Sequence, residues 1–285
     1  MTTLVIGARG GVGRHVVDQL LADGEPVRAS VRDPRARADL PAAAEVVTAD
    51  LTRPDTLRPA LDGVRRVFLY APPASAEGFA TVAAEADLER VVLLSSGSVL
   101  LPGMEHNAIA QEHRAVEDAL SAVGLPWTPV RPLVLASNSL RWAESIRSSG
   151  TVRLVHPNAV TAPVHERDVA AVAVTALGVG DEDAVATASS SAAVLTGPEL
   201  ISQRRQVEQI GQAIGRTLHI EELSPDQARE HYGRFTDPAT VEAILQFFSL
   251  AATGGSPCTP TVRRVLGRPG HSFAQWARDH AKDFG

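Results

Sequence analysis

A chain of 285 residues, 44% apolar and 21% charged, has ordinary globular composition and room for one large domain with a smaller appendage. Its net charge of −6, without a basic tract, leaves no electrostatic footprint for nucleic acid, and no run approaches the roughly 18 apolar residues of a membrane span, so neither is expected as a partner. Cys258 is the single cysteine and Lys282 the single lysine, which excludes an internal disulfide and a thiolate metal cluster and leaves almost nothing for Schiff-base chemistry.

The N-terminus, MTTLVIGARGG, has no basic segment before its apolar stretch and turns at once into glycines. It reads as a buried first strand rather than a signal peptide, and with the lone cysteine it gives a cytoplasmic expectation. "TLVIG" (3–7) is that strand, followed by a helix over 12–22. "PVRAS" (26–30), "EVVTAD" (45–50), "RVFLYAP" (66–72), "RVVLLSS" (90–96) and "WTPVRP" (127–132) continue the series. Most are β-branched and all are short enough to be strands buried on both faces. Helices are predicted at 54–61, 76–87 and 106–123. Strand alternating with helix at this spacing means an α/β fold, a doubly wound parallel sheet covered by helices.

Beyond Arg131 the pattern predicts a helix over 136–148, a strand at "TVRLVHP" (151–157) and a helix over 166–177. "AVLTGPELIS" (193–202) gives one strand and opens a helix over 199–214, with Gly215 at its end. "TLHIEEL" is a strand, "SPDQAREHYG" a helix begun by Ser-Pro, and two more helices are expected at 237–253 and 271–283. These readings divide the chain into a dinucleotide-binding domain, 1–150, with segments of 151–197 returning to its sheet, and a smaller, mainly helical lobe, 198–285, that closes a substrate cleft. No metal site is expected, and a homodimer is one assembly open to the chain.

"GARGGVG" sets Gly7, Gly10 and Gly13 between a strand and a helix. Glycines there permit the tight turn, the approach of backbone to a pyrophosphate and close packing of helix on strand. The helix N-terminus adds unpaired N–H groups and a positive dipole end. At the second strand's tip, "ASVRDP" offers Arg32 where NAD-preferring sites tend to place an acid. Arg32 could clamp a 2′-phosphate, with Arg9 reaching the same region, which favours NADPH (NADP) over NAD; alternatively Arg32 is a solvated charge paired with Asp33. Asp50, ending the third strand, suits the exocyclic amine of adenine or, equally, starts the next helical turn. Ala71, Pro72 and Ser95, at the ends of the fourth and fifth strands, complete the expected cofactor border.

Together "GARGGVG", "VRDP", "ADL", "VVLLSS", the Glu-x-x-Leu of "VEDAL", "GLPWTPVRP" with Asn138 beyond it, "ERDVA" and "LTGPELIS" resemble the NmrA-like branch of the atypical short-chain dehydrogenases, NAD(P)-binding Rossmann proteins. The likeness extends to the "GR" at 215–216 and to "FAQWARDH" at the end. It implies an NADPH-dependent reductase or a cofactor-binding regulator. Superfamily members that reduce carbonyls use a serine, a tyrosine and a lysine, the tyrosine giving a proton to the nascent alkoxide. Aligned through Glu117, the resemblance keeps the serine as Ser96 but puts Ile109 in the tyrosine's place and His113 in the lysine's.

A missing general acid weighs most on a simple ketone and least on a quinone, enone or imine-like acceptor, which spreads charge or begins cationic. The leading expectation is therefore hydride transfer to such an activated, apolar or aromatic small molecule. Ser96 and His113 would polarise it, and His106, His113 or water would supply the proton; His113 would also touch the nicotinamide ribose, and His165 would pack at a helix start. Walls are expected from 97–104, 133–142 and the helix around Gln246, Phe247 and Phe248, with Ser98, Met104, Asn138 and Phe247 lining the pocket. The paucity of lysine beside abundant Ala, Arg and Val suggests a high-GC bacterial genome and, by analogy, secondary metabolism. Two other functions fit the same residues: a non-catalytic NADP(H) redox sensor, and a non-redox cyclase or isomerase.

Overall fold

The computed structural model describes residues 1–180, 182–190 and 194–285. In chain order, β1 (Thr3–Val5) leads into α1 (Gly13–Ala22), then come β2 (Val27–Val31), β3 (Glu45–Thr48) and α2 (Leu57–Leu61). β4 (Arg66–Leu69), α3 (Ala76–Ala84), β5 (Arg90–Leu94), α4 (Ala108–Ala122) and β6 (Trp127–Pro132) complete the first half. α5 (Ala143–Ser149), β7 (Thr151–Leu154), β8 (Val160–Thr161), α6 (Glu166–Ala176), α7 (Glu182–Ser190), β9 (Val194–Leu195) and β10 (Ile201–Ser202) follow. The chain ends with α8 (Gln203–Ala213), β11 (His219–Glu222), α9 (Pro225–Tyr232), α10 (Pro238–Ala252), α11 (Thr261–Leu266), α12 (Phe273–Asp279) and α13 (Ala281–Phe284).

Seven of these strands form one sheet in the order β3-β2-β1-β4-β5-β6-β9, every pairing parallel. Side chains on a strand alternate between faces, and here both faces are apolar. Leu4, Val67, Leu69, Val91 and Leu93 pack with α2, α3 and α4 on one side. Val5, Phe68, Val92 and Val130 pack with α1 and α6 on the other. Chain direction across the sheet reverses between β1 and β4, the switch point at whose carboxyl end ligands bind in such folds.

The second half departs from its predicted elements where tertiary partners intervene. Only β9 returns to the sheet, whereas Thr151–Leu154 pairs in parallel with His219–Glu222, so β7 belongs with the C-terminal elements. The stretch read as one strand at 193–202 holds two, β9 and β10, the latter antiparallel to β8; Ala193 lies outside the described residues. α8 starts at Gln203 rather than 199, because Ser202 caps it by accepting from the Arg205 N–H at 3.1 Å. Residues 136–142 are a 3-10 helix and only 143–149 are α-helical, and 271–283 is split in two at His280. α7, α11 and a 3-10 helix over Pro34–Asp39 have no counterpart among the predicted elements.

Two further apolar clusters hold the C-terminal elements. One joins Ala136, Trp142, Ile146, Val152, Ile210, Phe273 and Trp276; the other joins Val155, Leu223, Val241, Leu245 and Phe248. A buried polar knot fastens the first to α6: fully buried Glu166 accepts from Trp276 Nε1 at 3.0 Å and lies 2.8 Å from His280 Nε2. Among the described residues no helix is long and apolar enough to cross a membrane.

Candidate active site

The glycine loop follows β1 at the switch point. Gly7 has φ +88°, a left-handed conformation that favours glycine, and its carbonyl accepts from the Gly10 N–H at 2.9 Å. A Cβ on Gly13 would lie 2.1 Å from the Gly7 oxygen, so only glycine lets α1 start this close to β1. Val12 gives α1 no side-chain cap, so no capping side chain competes with a ligand at its start, where the Arg14 N–H bonds the Gly10 carbonyl at 3.0 Å. These features fit a pyrophosphate, and with it a dinucleotide.

Residues expected around the far end of that cofactor gather at one corner. Arg9 is ion-paired with Asp39 of the 3-10 helix after β2. Arg32 is exposed, with no hydrogen bond or ion pair among the described residues, while Asp33 accepts the Arg35 N–H at 2.9 Å instead of pairing with Arg32. Asp50 accepts from both the N–H and the hydroxyl of Thr52, at 2.9 and 2.8 Å. Those bonds hold its carboxyl below the ordinary value, and the nearby Arg32 charge acts in the same sense. Ala71 is buried and Pro72 exposed just beyond β4. Tyr70 was not assigned from sequence; half-exposed, it puts its Cβ 3.4 Å from where a Gly7 Cβ would stand. Its one local signal is an aromatic residue at the carboxyl end of a central strand.

Beyond β5 the two serines diverge. Ser95 donates its hydroxyl to Glu117 at 2.6 Å and its N–H to the Val130 carbonyl at 2.8 Å. Ser96 caps a 3-10 turn, accepts the Ser98 N–H at 3.3 Å and lies 2.8 Å, hydroxyl to hydroxyl, from Ser98. A cavity of about 110 Å³ brings together Ser96, Ser98, Met104, Asn138 and Phe247, with Ile109 in its wall. Five expected residues from four separate segments thus meet in one place.

The histidines are dispersed. His113, one turn beyond Ile109 on α4, is half-buried and off the cavity lining; burial lowers its pKa against the opposing pull of Glu117. His106 is exposed in the loop before α4 and does not line the cavity. His165 accepts the Arg167 N–H at 3.1 Å and so caps α6, as its position at a helix start predicts.

Two residues that line the cavity have no role in the sequence reading. Asn107 caps α4 and donates to the Ala243 carbonyl and the Gln246 amide oxygen, each at 3.0 Å; Gln246 donates to the Gly103 carbonyl at 3.0 Å. These bonds tie α10 to both the start of α4 and the 97–104 wall. An Asn just before an amphipathic run was the available signal for a cap. Arg141 lies within the predicted 133–142 wall, but nothing local marks it out.

A family model described as NAD(P)H-binding matches residues 7–179. The chain is 39% identical, over 99% of its length and 98% of the relative's, to a (4-alkanoyl-5-oxo-2,5-dihydrofuran-3-yl)methyl phosphate reductase from Streptomyces griseus subsp. griseus. It is 28% identical, over 99% of both chains, to an NAD(P)H azoreductase from Xenophilus azovorans. Its fold matches that of an NADPH-dependent quinone oxidoreductase from Escherichia coli in complex with NADPH, with a TM-score of 0.77 and 20% identity over 98% of this chain and 99% of that one.

Proposed function

The chain belongs to this NAD(P)H-binding family, and from that membership we propose that it is an NADPH-dependent reductase of an activated, conjugated small molecule. The observation that carries the reading is Ile109 in the cavity wall shared with Ser96 and Ser98. A side chain with no proton to give stands where carbonyl reducers of the superfamily keep their acid. The relatives' acceptors, a butenolide ring and an azo bond, are both conjugated, which supports the same substrate class.

Gly7, Gly10, Gly13 and the first N–H groups of α1 would hold the pyrophosphate, Arg32 and Arg9 a 2′-phosphate, and Asp50 the adenine amine. Ala71, Pro72, the Ser95 backbone and His113 would border the nicotinamide half. NADPH, when bound, supplies a hydride. With the Ser98 hydroxyl donating to Ser96, the Ser96 hydroxyl keeps its own proton free for the acceptor oxygen. An enolate produced by reduction of a conjugated carbonyl spreads its charge, so a hydroxyl hydrogen bond stabilises it without full proton transfer. Asn138 orients the acceptor, Phe247 and Met104 exclude water from its apolar part, and solvent supplies the final proton.

NADPH absorbance, followed with butenolide, quinone, azo and simple-ketone panels, tests the reading. Consumption with conjugated acceptors and not with ketones is expected. Tight NADPH binding without consumption by any acceptor would instead favour a redox sensor, and failure to bind either dinucleotide would refute the reading.

A further inference from the structure

Two cavities meet at Arg141. It is the only charged residue among those lining the 110 Å³ cavity, whose other walls are hydroxyl, amide and apolar groups. It also lines a second cavity of about 820 Å³, bounded by α5, β7 and α9. No carboxylate lies within 4.0 Å of its guanidinium, and no hydrogen-bond partner is found among the described residues. Its neighbours are satisfied: Arg153 pairs with Glu221 at 2.8 Å, Arg147 bonds the Asp283 carbonyl, and Arg131 pairs with Glu117 at 2.6 Å.

Arg141 is exposed where it opens on the cavities, yet the protein packed around it pushes its guanidinium below the ordinary arginine value. The nearby Tyr232 opposes that shift only in part. Glu144 and Glu221 line the larger cavity with it, yet neither comes within 4.0 Å of its guanidinium, so among the described residues the charge is left to meet an anion from solution.

The chain also fixes where this charge lies. The 3-10 helix Ala136–Trp142 carries Ser137, whose hydroxyl would be 3.9 Å from a Cβ on Gly11 of the glycine loop. Asn138 follows and enters the small cavity. At a rise of about 2 Å per residue, Arg141 lies roughly 8 Å along the helix axis from Ser137. Its place on the lining it shares with Ser96 suits the far end of a substrate whose reacting ring lies beside Ser96.

We propose that Arg141 is the anion-recognising residue of the substrate site, and that the substrate carries a phosphate monoester beside its conjugated ring. The planar guanidinium fork matches phosphate oxygens two at a time. The proposal rests on the reductase reading for the ring; Arg141 calls for an anion, and the phosphate ester of the 39% identical relative's substrate says which.

The test compares (4-alkanoyl-5-oxo-2,5-dihydrofuran-3-yl)methyl phosphate with its dephosphorylated alcohol. Each is titrated calorimetrically into NADP⁺-loaded wild type, Arg141→Met and Arg141→Lys, and NADPH consumption is followed separately. Wild type is expected to bind the ester at least about tenfold more tightly than the alcohol, Arg141→Met to lose that preference through a 10- to 100-fold weaker ester, and Arg141→Lys to recover part of it. A wild type that binds both alike or neither overturns the proposal, and needs no variant to do so. Retention of the preference by Arg141→Met, or a loss that falls on NADPH affinity, overturns it as well. Arg141-dependent ester binding without turnover supports the anion site and sinks the reductase reading. Equal turnover of ester and alcohol by every form does the reverse.

Discussion

Glu117 and Arg131 form a buried two-point pair, Arg131 Nε and Nη2 reaching the two carboxylate oxygens at 2.8 and 2.6 Å. Ser95 adds a third donor to the same carboxylate. The pair joins α4 to β6 and the end of β5, and so sets the rotation of α4 that turns Ile109 into the cavity. Removing one member of a buried pair costs about 3–5 kcal/mol. Glu117→Ala should therefore lower the urea midpoint steeply, while Glu117→Gln, which keeps volume and an acceptor oxygen, should cost less. Equal, small effects of both would mean the pair does not fix the helix.

Arg32 and Arg9 differ in availability, and cofactor choice should follow that difference. Among the described residues Arg32 has no competing bond, so Arg32→Ala is expected to weaken NADPH by about 10- to 100-fold, the worth of a charged hydrogen bond, and NADH little. Asp39 competes for Arg9, so Asp39→Ala should tighten NADPH by about threefold at most, as an exposed pair allows. Fluorescence titration of both dinucleotides reads both effects. Parallel losses of NADPH and NADH in Arg32→Ala would refute the 2′-phosphate role.

Ser96 and Ser98 should separate by kinetics. Ser96→Ala is expected to lower kcat by roughly 10²-fold, as loss of a donor to a developing oxyanion does. In the proposed mechanism Ser98 acts only through Ser96, 2.8 Å away, so Ser98→Ala should show a smaller kcat loss with KM nearly unchanged. If Ser98→Ala proves the more damaging for kcat, the roles are exchanged.

The central sheet was legible because its strands are buried on both faces, leaving short β-branched runs between amphipathic helices. The C-terminal half was less so. β8, β9 and β10 are two residues each, too short to show alternation, and exist because neighbouring backbone is there to pair with. α11 spans six residues and is held by Val262 and Val265 packing into the α6 cluster, which no local period reports. The break between α12 and α13 falls at His280, which turns inward to Glu166. Pocket residues were found where each stood at a strand end or in an apolar wall. Arg141 carries no local signal, because what marks it, the lack of a partner among the described residues on a cavity wall, is a property of the fold rather than of its neighbours in sequence.

The Glu166–His280 pair should shape stability against pH. Burial alone would raise Glu166, but the His280 bond and neighbouring charges outweigh it and leave the carboxyl below its usual value. Burial likewise disfavours charged His280, yet Glu166 and Asp283 together raise its pKa. The depressed Glu166 contributes stability above the ordinary carboxylate range that is lost as pH falls through its folded value. The raised His280 contributes stability that is full below about pH 6.5 and lost as pH rises through its folded value. Relative to wild type, His280→Asn should cost about 1.5–3 kcal/mol in mildly acid solution, where His280 is charged and Glu166 ionised, with the difference shrinking toward alkaline pH. A difference independent of pH in denaturation series would show that the ring acts by packing on Trp276 alone.

Ile109 offers the sharpest test of substrate class, because the missing chemistry can be put back. A positioned acid is worth roughly 10²–10⁴ in rate for a carbonyl whose oxygen takes full charge. Ile109→Tyr with His113→Lys should confer measurable NADPH-dependent turnover of simple ketones, about that much above wild type, while the larger ring narrows the cavity and raises KM for conjugated acceptors. Burial that lowers the His113 pKa will also depress a lysine at that position, with Glu117 opposing, so the gain should fade as pH rises and the lysine loses its proton. Ile109→Tyr alone should gain less, for want of a cation to lower the phenol's pKa. A folded, NADPH-binding double variant with no ketone turnover would show that Ile109 does not occupy the acid's place, and would remove the basis of the proposed preference for conjugated acceptors.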